Sequence, residues 1–500
     1  MLYNNPVIKG YNPDPSMCRV SEDYYLVTST FEFFPGVPVY HSKNLVDWTL
    51  INYCLTDEVQ LPLKESPMSA GIYAPTIRHH NGRFYMTTTN CTIGGNFIVY
   101  TDDIYGKWSN PIYIKQGGID PSLLFEDDKV YYCSAAGEGI LLSEINIETG
   151  EFIKEPEVIS NGDGGKHPEA PHIYKINGYY YLMLAEGGTE YGHMVTMFRA
   201  KDIYGPYDRC ERNPILSHKD FYSPIQATGH ADMLCDQNGN WWMCFLGIRP
   251  IPAGQFHNLG RETFLAPVIW SDDGFPVVGN NGTADLQMDA PLPAKNELLP
   301  ISKDNFYDDF TDSKLNLHYN FYRNPEIERF SLIEKPGKLV IKGGDAPLSD
   351  DKRSPAFMGI RQKDFNVTAE AKLSLISNDE KNEKAGITAF YNWSYHYDLF
   401  ITKEDNKNYV CLRKRVHDIE TVTDRHEIGS LSDIELKIEA GDEKYSFLYK
   451  KGENWTKLGT ALTVGLCKEQ TFRTTFTGTY IGMFTENAAG EFDYFRVDVE

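Results

Sequence analysis

The sequence predicts an all-β protein, a β-propeller followed by a β-sandwich. Three observations carry that prediction. Five stretches repeat one pattern, in which a small or acidic residue, usually followed by Pro, precedes an aromatic-rich strand by about ten residues. Runs of Tyr, Val, Thr and Phe between Gly, Asn and Asp turns extend from end to end, and no long amphipathic helical segment stands out. Beyond residue 303 the repeats give way to alternation of polar and apolar positions.

The repeats come first. Asp14-Pro15-Ser16 leads to Tyr24-Tyr25-Leu26-Val27, and Ala74-Pro75-Thr76 leads to Phe84-Tyr85-Met86. Asp120-Pro121-Ser122 leads to Val130-Tyr131-Tyr132. Glu169-Ala170-Pro171-His172 leads to Tyr179-Tyr180-Tyr181-Leu182, and His230-Ala231-Asp232 to Trp241-Trp242-Met243. Strand repeats of roughly 45–60 residues suggest blades set radially around a channel. Equivalent positions then face one axis, which brings Asp14, Asp120, Glu169 and His230 together. Acids gathered at one point are costly unless their pKa values are split and used.

The repeats span residues 1–285. Residues 286–303, with Pro291-Leu292-Pro293 and Pro300, read as a short stiff linker. From 304 to 500, segments such as Lys338-Leu339-Val340-Ile341 and Ile434-Glu435-Leu436-Lys437-Ile438 alternate between Gly, Asp and Asn turns, the pattern of an antiparallel sandwich.

Composition excludes several function classes. With 48 Lys and Arg against 70 Asp and Glu, the net charge is −22, which repels phosphate backbones and anionic lipid. Nucleic acid and membrane partners are therefore not expected, whereas a neutral substrate is not repelled. Nine scattered cysteines without a Cys-x-x-Cys pair read as buried free thiols in a reducing compartment. Without a basic region followed by an apolar run at the N-terminus, the expected location is cytoplasmic. A broad sandwich face would suit a homo-oligomer.

Inverting glycoside hydrolysis needs two carboxyl groups on opposite faces of a sugar, about 6.5–9.5 Å apart so that water fits between. Carboxylates on different blades of a propeller can supply that spacing. Asp14 sits between Pro13 and Pro15, where a simple Asp turn is the alternative role; the matching Asp120 favours function. Glu169, flanked by Pro168 and Ala170, has the surroundings that raise an acid's pKa; the alternative is a surface Glu before a strand. Glu186 and Asp232 are rivals, placed less well for the axis by their register. His230 could bind sugar, hold a cation such as calcium largely through water, or satisfy buried carbonyls. A tight transition-metal site is not expected. Arg261 offers a fork for sugar hydroxyls, and a plain ion pair with Glu262 is equally consistent with the spacing.

Taken together, the motifs resemble glycoside hydrolase family 43, in particular its β-xylosidases with an added C-terminal sandwich. The matching pieces include Gly10-Tyr11-Asn12-Pro13-Asp14-Pro15, the run from Ser29 to Pro38, Ile119-Asp120-Pro121-Ser122, Glu169-Ala170-Pro171-His172, Ala185-Glu186-Gly187-Gly188-Thr189 and Ala227-Thr228-Gly229-His230. His257-Asn258-Leu259-Gly260-Arg261 and, past the linker, Asp308-Asp309-Phe310 and Arg323-Asn324-Pro325 extend the similarity over nearly the whole chain.

The resemblance implies a five-bladed propeller, a concanavalin-like sandwich and inversion at the anomeric carbon. It implies Asp14 as general base, Glu169 as general acid, and Asp120 as the residue that orients Glu169 and raises its pKa. It also implies that Phe31, Tyr73, Ala74, Thr189, His230 and Arg261 line the terminal-sugar pocket, closed by an aromatic from the Phe472–Phe484 region. Tyr73 departs from the Trp common in relatives specialised for xylose, which bears on the choice between xylose and arabinofuranose. The expected activity is release of xylose from the non-reducing ends of β-1,4-xylo-oligosaccharides, without a required cofactor. The alternatives are an α-L-arabinofuranosidase, an enzyme with both activities, a retaining propeller glycosidase, or a non-catalytic carbohydrate-binding propeller.

Overall fold

The computed structural model describes residues 1–137, 139–251, 255–295, 304–378 and 381–500. Five successive antiparallel sheets follow one another along the first half of the chain. Each begins with a strand that contacts the first strand of the next sheet: Ser16–Val20, Thr76–His80, Ile119–Glu126, Glu169–Ile176 and Gln226–Cys235. The fifth of these strands also packs on the first, so the sheets close into a ring around a channel. Four sheets have four strands, and the fourth sheet gains a fifth strand, Leu216–Ser217.

The ring is also closed through the chain's start. Leu2–Asn4 pairs with Gln287–Asp289, so propeller pairing runs to Asp289, inside the stretch read from sequence as linker. The part of that linker from 296 to 303, including Pro300, lies outside the described residues.

Three of the inner strands are not regular, and the irregularity positions side chains. Register shifts fall between Ile119 and Ser122, between Glu169 and His172, and twice between Gln226 and Asp232. Left-handed φ values mark the same places: 53° at Asp120, 52° at Ala170, 54° at Ala227 and 42° at His230. Asp14, just before the first inner strand, has φ 55°. A bulge inserts one residue and re-aims its neighbours, and non-glycine residues in this conformation cost about 1–3 kcal/mol each. The rest of each blade, packed by buried Tyr, Leu, Met and Val, holds the inner ends in place.

The C-terminal unit is a two-sheet sandwich. One sheet has eight strands around Val367–Ile376 and Ala489–Val499, and the other has six around Lys384–Asn392 and Tyr480–Glu486. Alternation is plain in Val367–Ile376, whose odd positions are buried from Val367 to Leu375. Among the described residues helical backbone is confined to three short 3₁₀ turns and Asp304. No helix among the described residues is long and apolar enough to cross a membrane. All nine cysteines are free; Cys91 is exposed rather than buried as expected, because it follows a strand at a surface turn beside Tyr73.

The two units are joined by more than a linker. Phe33–Phe34 of the first blade pairs with Phe321–Tyr322 of the sandwich. Tyr11, Phe31 and Phe33 share one buried aromatic cluster with Tyr322, Phe357, Phe390 and Tyr480. Phe33 and Tyr480 stack with centroids 4.2 Å apart. Such pairs add about 0.5–1.5 kcal/mol each beyond burial. Gly478 lies so close to the propeller that a Cβ there would stand 2.3 Å from the Leu259 carbonyl oxygen.

Candidate active site

The bulged inner strands bring Asp14, Asp120, Glu169 and His230 to one end of the channel. Asp14 is almost fully buried. Its Oδ1 accepts from Arg261 Nη1 at 2.9 Å and lies 3.6 Å from His230 Nδ1, and the Ser29 hydroxyl donates to its Oδ2. Burial opposes the Asp14 charge, but Arg261, His230 and Ser29 outweigh it and hold the carboxyl below its usual range.

Glu169 is pushed the other way. Burial and the negative charge of Asp14 raise its pKa to about 7, against a smaller opposing pull from Arg261. Asp120 accepts the Ala170 N–H at 3.2 Å. Burial, then Glu169, then Asp14 push Asp120 well above the carboxylate range. Asp14 thus helps to raise Glu169, and Asp120 and Glu169, each opposing the other's charge, titrate as a pair. An ionised carboxylate beside a protonated one is what acid–base cleavage of a glycosidic bond requires.

Arg261 organises the pocket wall. Nη1 also donates to Thr189 Oγ1 at 3.0 Å, and Nη2 to the Phe476 carbonyl at 3.4 Å. Its guanidinium lies 5.5 Å from the Phe31 ring centroid and 5.4 Å from that of Phe476. Glu262 is not its partner: that carboxylate pairs with Arg249 at 2.7 Å and accepts the Gly10 N–H. Phe31 contacts Tyr73 at 5.3 Å and Phe476 at 5.4 Å between centroids, and Ala74 is buried next to Tyr73. The predicted residues therefore converge.

Phe476 comes from the sandwich. Its N–H donates to Ser69 Oγ at 2.9 Å, and Glu469 on the same loop holds His257 Nδ1 at 2.7 Å. It falls in the region expected to contribute an aromatic; Phe472 instead packs against Trp393, Tyr395 and His417, and Phe484 lies in the core between the units.

The two rival acids are structural. Glu186 accepts from the Asp163 and Gly165 N–H groups and from Thr196 Oγ1, at 2.7–2.8 Å, and so fixes the loop before Glu169. Asp232 is fully buried against Arg78 at 2.8 Å, with Ser16 and Tyr174 also donating to it. Two participants had no role assigned from sequence. Ser29 lies inside a quoted motif. His193 lies four residues beyond Thr189, and a Gly-His pair after a strand carries little signal by itself. Among the described residues no group of three His, Cys, Asp or Glu side chains is arranged to hold a metal ion.

Residues 3–276 match glycosyl hydrolases family 43, and residues 307–498 match the β-xylosidase C-terminal concanavalin A-like domain. The chain belongs to glycoside hydrolase family 43. It is therefore a glycoside hydrolase, in a family of inverting enzymes. It is 41% identical to the non-reducing end α-L-arabinofuranosidase BoGH43B of Bacteroides ovatus, over 99% of this chain and 94% of the relative. It is 36% identical to a xylosidase/arabinosidase of Butyrivibrio fibrisolvens, over 100% and 99% of the two chains. The solved structure of the GH43B protein from a Bacteroides ovatus xyloglucan locus superposes with a TM-score of 0.95 at 40% identity, covering all of both chains. Family membership accounts for a propeller and a concanavalin-like sandwich in one chain.

Proposed function

We propose that this family 43 enzyme is an exo-glycosidase that releases xylose from the non-reducing ends of β-1,4-xylo-oligosaccharides by inversion. Asp14 activates water as general base, and Glu169 protonates the leaving oxygen. Asp120 fixes the backbone N–H after Glu169 and thereby orients the acid. Phe31, Tyr73, Ala74, Thr189, His230 and Arg261 hold the terminal sugar. The observation that carries this reading is the opposite displacement of two neighbouring carboxyls, Asp14 downward and Glu169 upward to about 7. Closure by Phe476 from the second domain supports attack at chain ends rather than within chains.

The test is release of 4-nitrophenol from its β-D-xylopyranoside and α-L-arabinofuranoside, side by side, by wild type and Asp14→Ala. Xyloside turnover lost in the variant is expected, with α-xylose as the first product seen by NMR. β-Xylose as first product would overturn the assignment of base and acid.

A second reading, α-L-arabinofuranosidase alone or together with xylosidase, is favoured by Tyr73 and by the named activity of the Bacteroides ovatus relative. Dominant turnover of the arabinofuranoside would select it. A purely sugar-binding propeller would leave two buried carboxyl groups and the half-buried Glu169 without a use. No cofactor is needed for the proposed chemistry: the site residues fit a calcium ion at His230 only with water supplying most ligands, and activity should survive exhaustive EDTA dialysis. A cytoplasmic site of action on imported oligomers completes the proposal, and cell fractionation checks it.

A further inference from the structure

His193 is buried at the floor of this site and has an unusual hydrogen-bond balance. Its Nδ1 lies 3.3 Å from the Ala227 carbonyl oxygen. A carbonyl can only accept, so Nδ1 carries the proton and Nε2 presents a lone pair. Nε2 is buried and has no hydrogen-bond partner. The nearest complementary group is Glu169, whose Oε1 is 3.9 Å away. The ring cannot move back: a Cβ at Gly229 would lie 2.3 Å from its Cε1, so the backbone of the fifth blade presses directly on the imidazole. Nor does it ionise readily, since burial, then His230 and Arg261, lower its pKa to about 3.

A neutral imidazole with a fixed lone pair distinguishes the two states of Glu169. An ionised Oε1 faces a second acceptor and leaves both groups unsatisfied. A protonated Oε1 can donate to Nε2 once the pair closes by about 1 Å to ordinary hydrogen-bond length. We propose that His193 is a positioning residue of the general acid, holding Glu169 in its protonated form between turnovers. The inference rests on the assignment of Glu169 as the acid. In each cycle Glu169 gives its proton to the glycosidic oxygen as that oxygen's bond to the anomeric carbon breaks, the water oxygen bonds to that carbon, and Asp14 takes the water's proton and later returns it to solvent. The carboxylate left at Glu169 then faces the His193 lone pair, which favours its reprotonation from solvent. The other groups that face Glu169 are Asp14, Asp120 and Arg261, and those that face His193 are His230, Arg261 and Asp14.

Two variants separate this role from simple packing. His193→Phe keeps the ring volume and removes both nitrogens. His193→Asn places an amide donor near the Ala227 carbonyl and removes Nε2. Full pH profiles of kcat/KM are measured on xylobiose, whose leaving group needs a proton, and on the 4-nitrophenyl glycoside, whose leaving group does not. Loss of one neutral hydrogen bond to the protonated acid moves the alkaline limb for xylobiose down by roughly half to one pH unit. The loss at pH 7 should be several-fold on xylobiose and smaller on the nitrophenyl glycoside. An alkaline limb that stays put in both variants, or equal losses on both substrates without a shift, would overturn the proposal. Glu169→Ala is run beside them. If it retains xylobiose turnover, the assignment of the acid fails; if it abolishes turnover while the His193 limbs stay put, only the role of His193 fails.

Discussion

Arg261→Met is the most informative single change in the site. The methionine keeps an apolar stem between the rings of Phe31 and Phe476 and removes the cation 2.9 Å from Asp14 Oδ1. Opposite charges about 4 Å apart interact by about 4 kcal/mol at an effective dielectric near 20. At about 1.36 kcal/mol per pKa unit, that is an upper bound of roughly three units. His230 and Ser29 remain to support the carboxylate, so a rise of about one to three units is expected for Asp14. The sign follows from the role. A general base works only when ionised, so activity falls as pH drops through its pKa, and raising that pKa moves the acid limb of kcat/KM upward. Arg261 also lowers Glu169, so its removal moves the alkaline limb upward too, by less. The whole bell should shift toward high pH, together with a higher KM if Arg261 holds the sugar as proposed. The assay is kcat/KM on xylobiose, whose leaving group needs the proton, from pH 4 to 9, with melting temperature as a control for folding. An acid limb that stays in place in a well-folded variant would refute the idea that Arg261 sets the charge of Asp14.

Three further changes probe the surroundings. Asp232→Asn leaves Arg78 buried without its counter-charge and should cost about 3–5 kcal/mol by urea unfolding. The depressed pKa of Asp232 makes its contribution complete above the unfolded value near pH 4 and lost as pH falls through the folded value, so wild type and variant should converge in acid. Phe476→Ala removes a half-buried ring from Arg261, Phe31 and Tyr73 and should raise KM about tenfold, since burying an aromatic side chain only in part is worth roughly 1.5 kcal/mol; unchanged KM would remove the sandwich from the pocket. Asp120→Asn mimics the protonated carboxyl and can still accept the Ala170 N–H, so the alkaline limb should move by less than about half a unit. A downward shift of one unit or more would show that the charge of Asp120, and not that of Asp14, raises Glu169.

The blade repeats were legible because each inner strand is announced by a small or acidic residue with proline and followed by an aromatic strand at fixed spacing. That periodicity placed Asp14, Asp120, Glu169 and His230 on one axis before any coordinates. The sandwich was legible from alternation, as in Val367–Ile376. Pair choices were less so. Glu262 is adjacent to Arg261 in sequence, yet successive residues of extended chain point to opposite faces, and its partner is Arg249, just past the end of the neighbouring strand. Asp232 and Glu186 are acids beside the same motifs, and only the register shows that one is matched by Arg78 and the other by backbone N–H groups. His193 was hidden for a similar reason: its role depends on a carbonyl and a glycine contributed by another blade. The N-terminal pairing of Leu2–Asn4 with Gln287–Asp289 joins residues nearly three hundred positions apart, which no local pattern announces.

Charge balance links the fold to the chemistry. Asp14 and Asp120 are buried here with Glu169 beside them, and Arg261 is in contact with Asp14. A site of low dielectric disfavours any net charge strongly, so its preferred state has one ionised carboxylate and two protonated ones. Arg261 touches Asp14, which fixes Asp14 as the ionised member. Asp120 and Glu169, without a cation in hydrogen-bond contact, are both pushed upward, Glu169 to about 7, and of the two Glu169 is the one with partial access to solvent. That neutral state has the proposed base ionised and the proposed acid and its orienting group protonated. It is also the state that the proposed inverting reaction needs before substrate binds. On this argument the catalytic protonation pattern needs no tuning of each residue separately. It follows from placing three acids and one arginine in a closed ring, with the arginine on the side of the intended base.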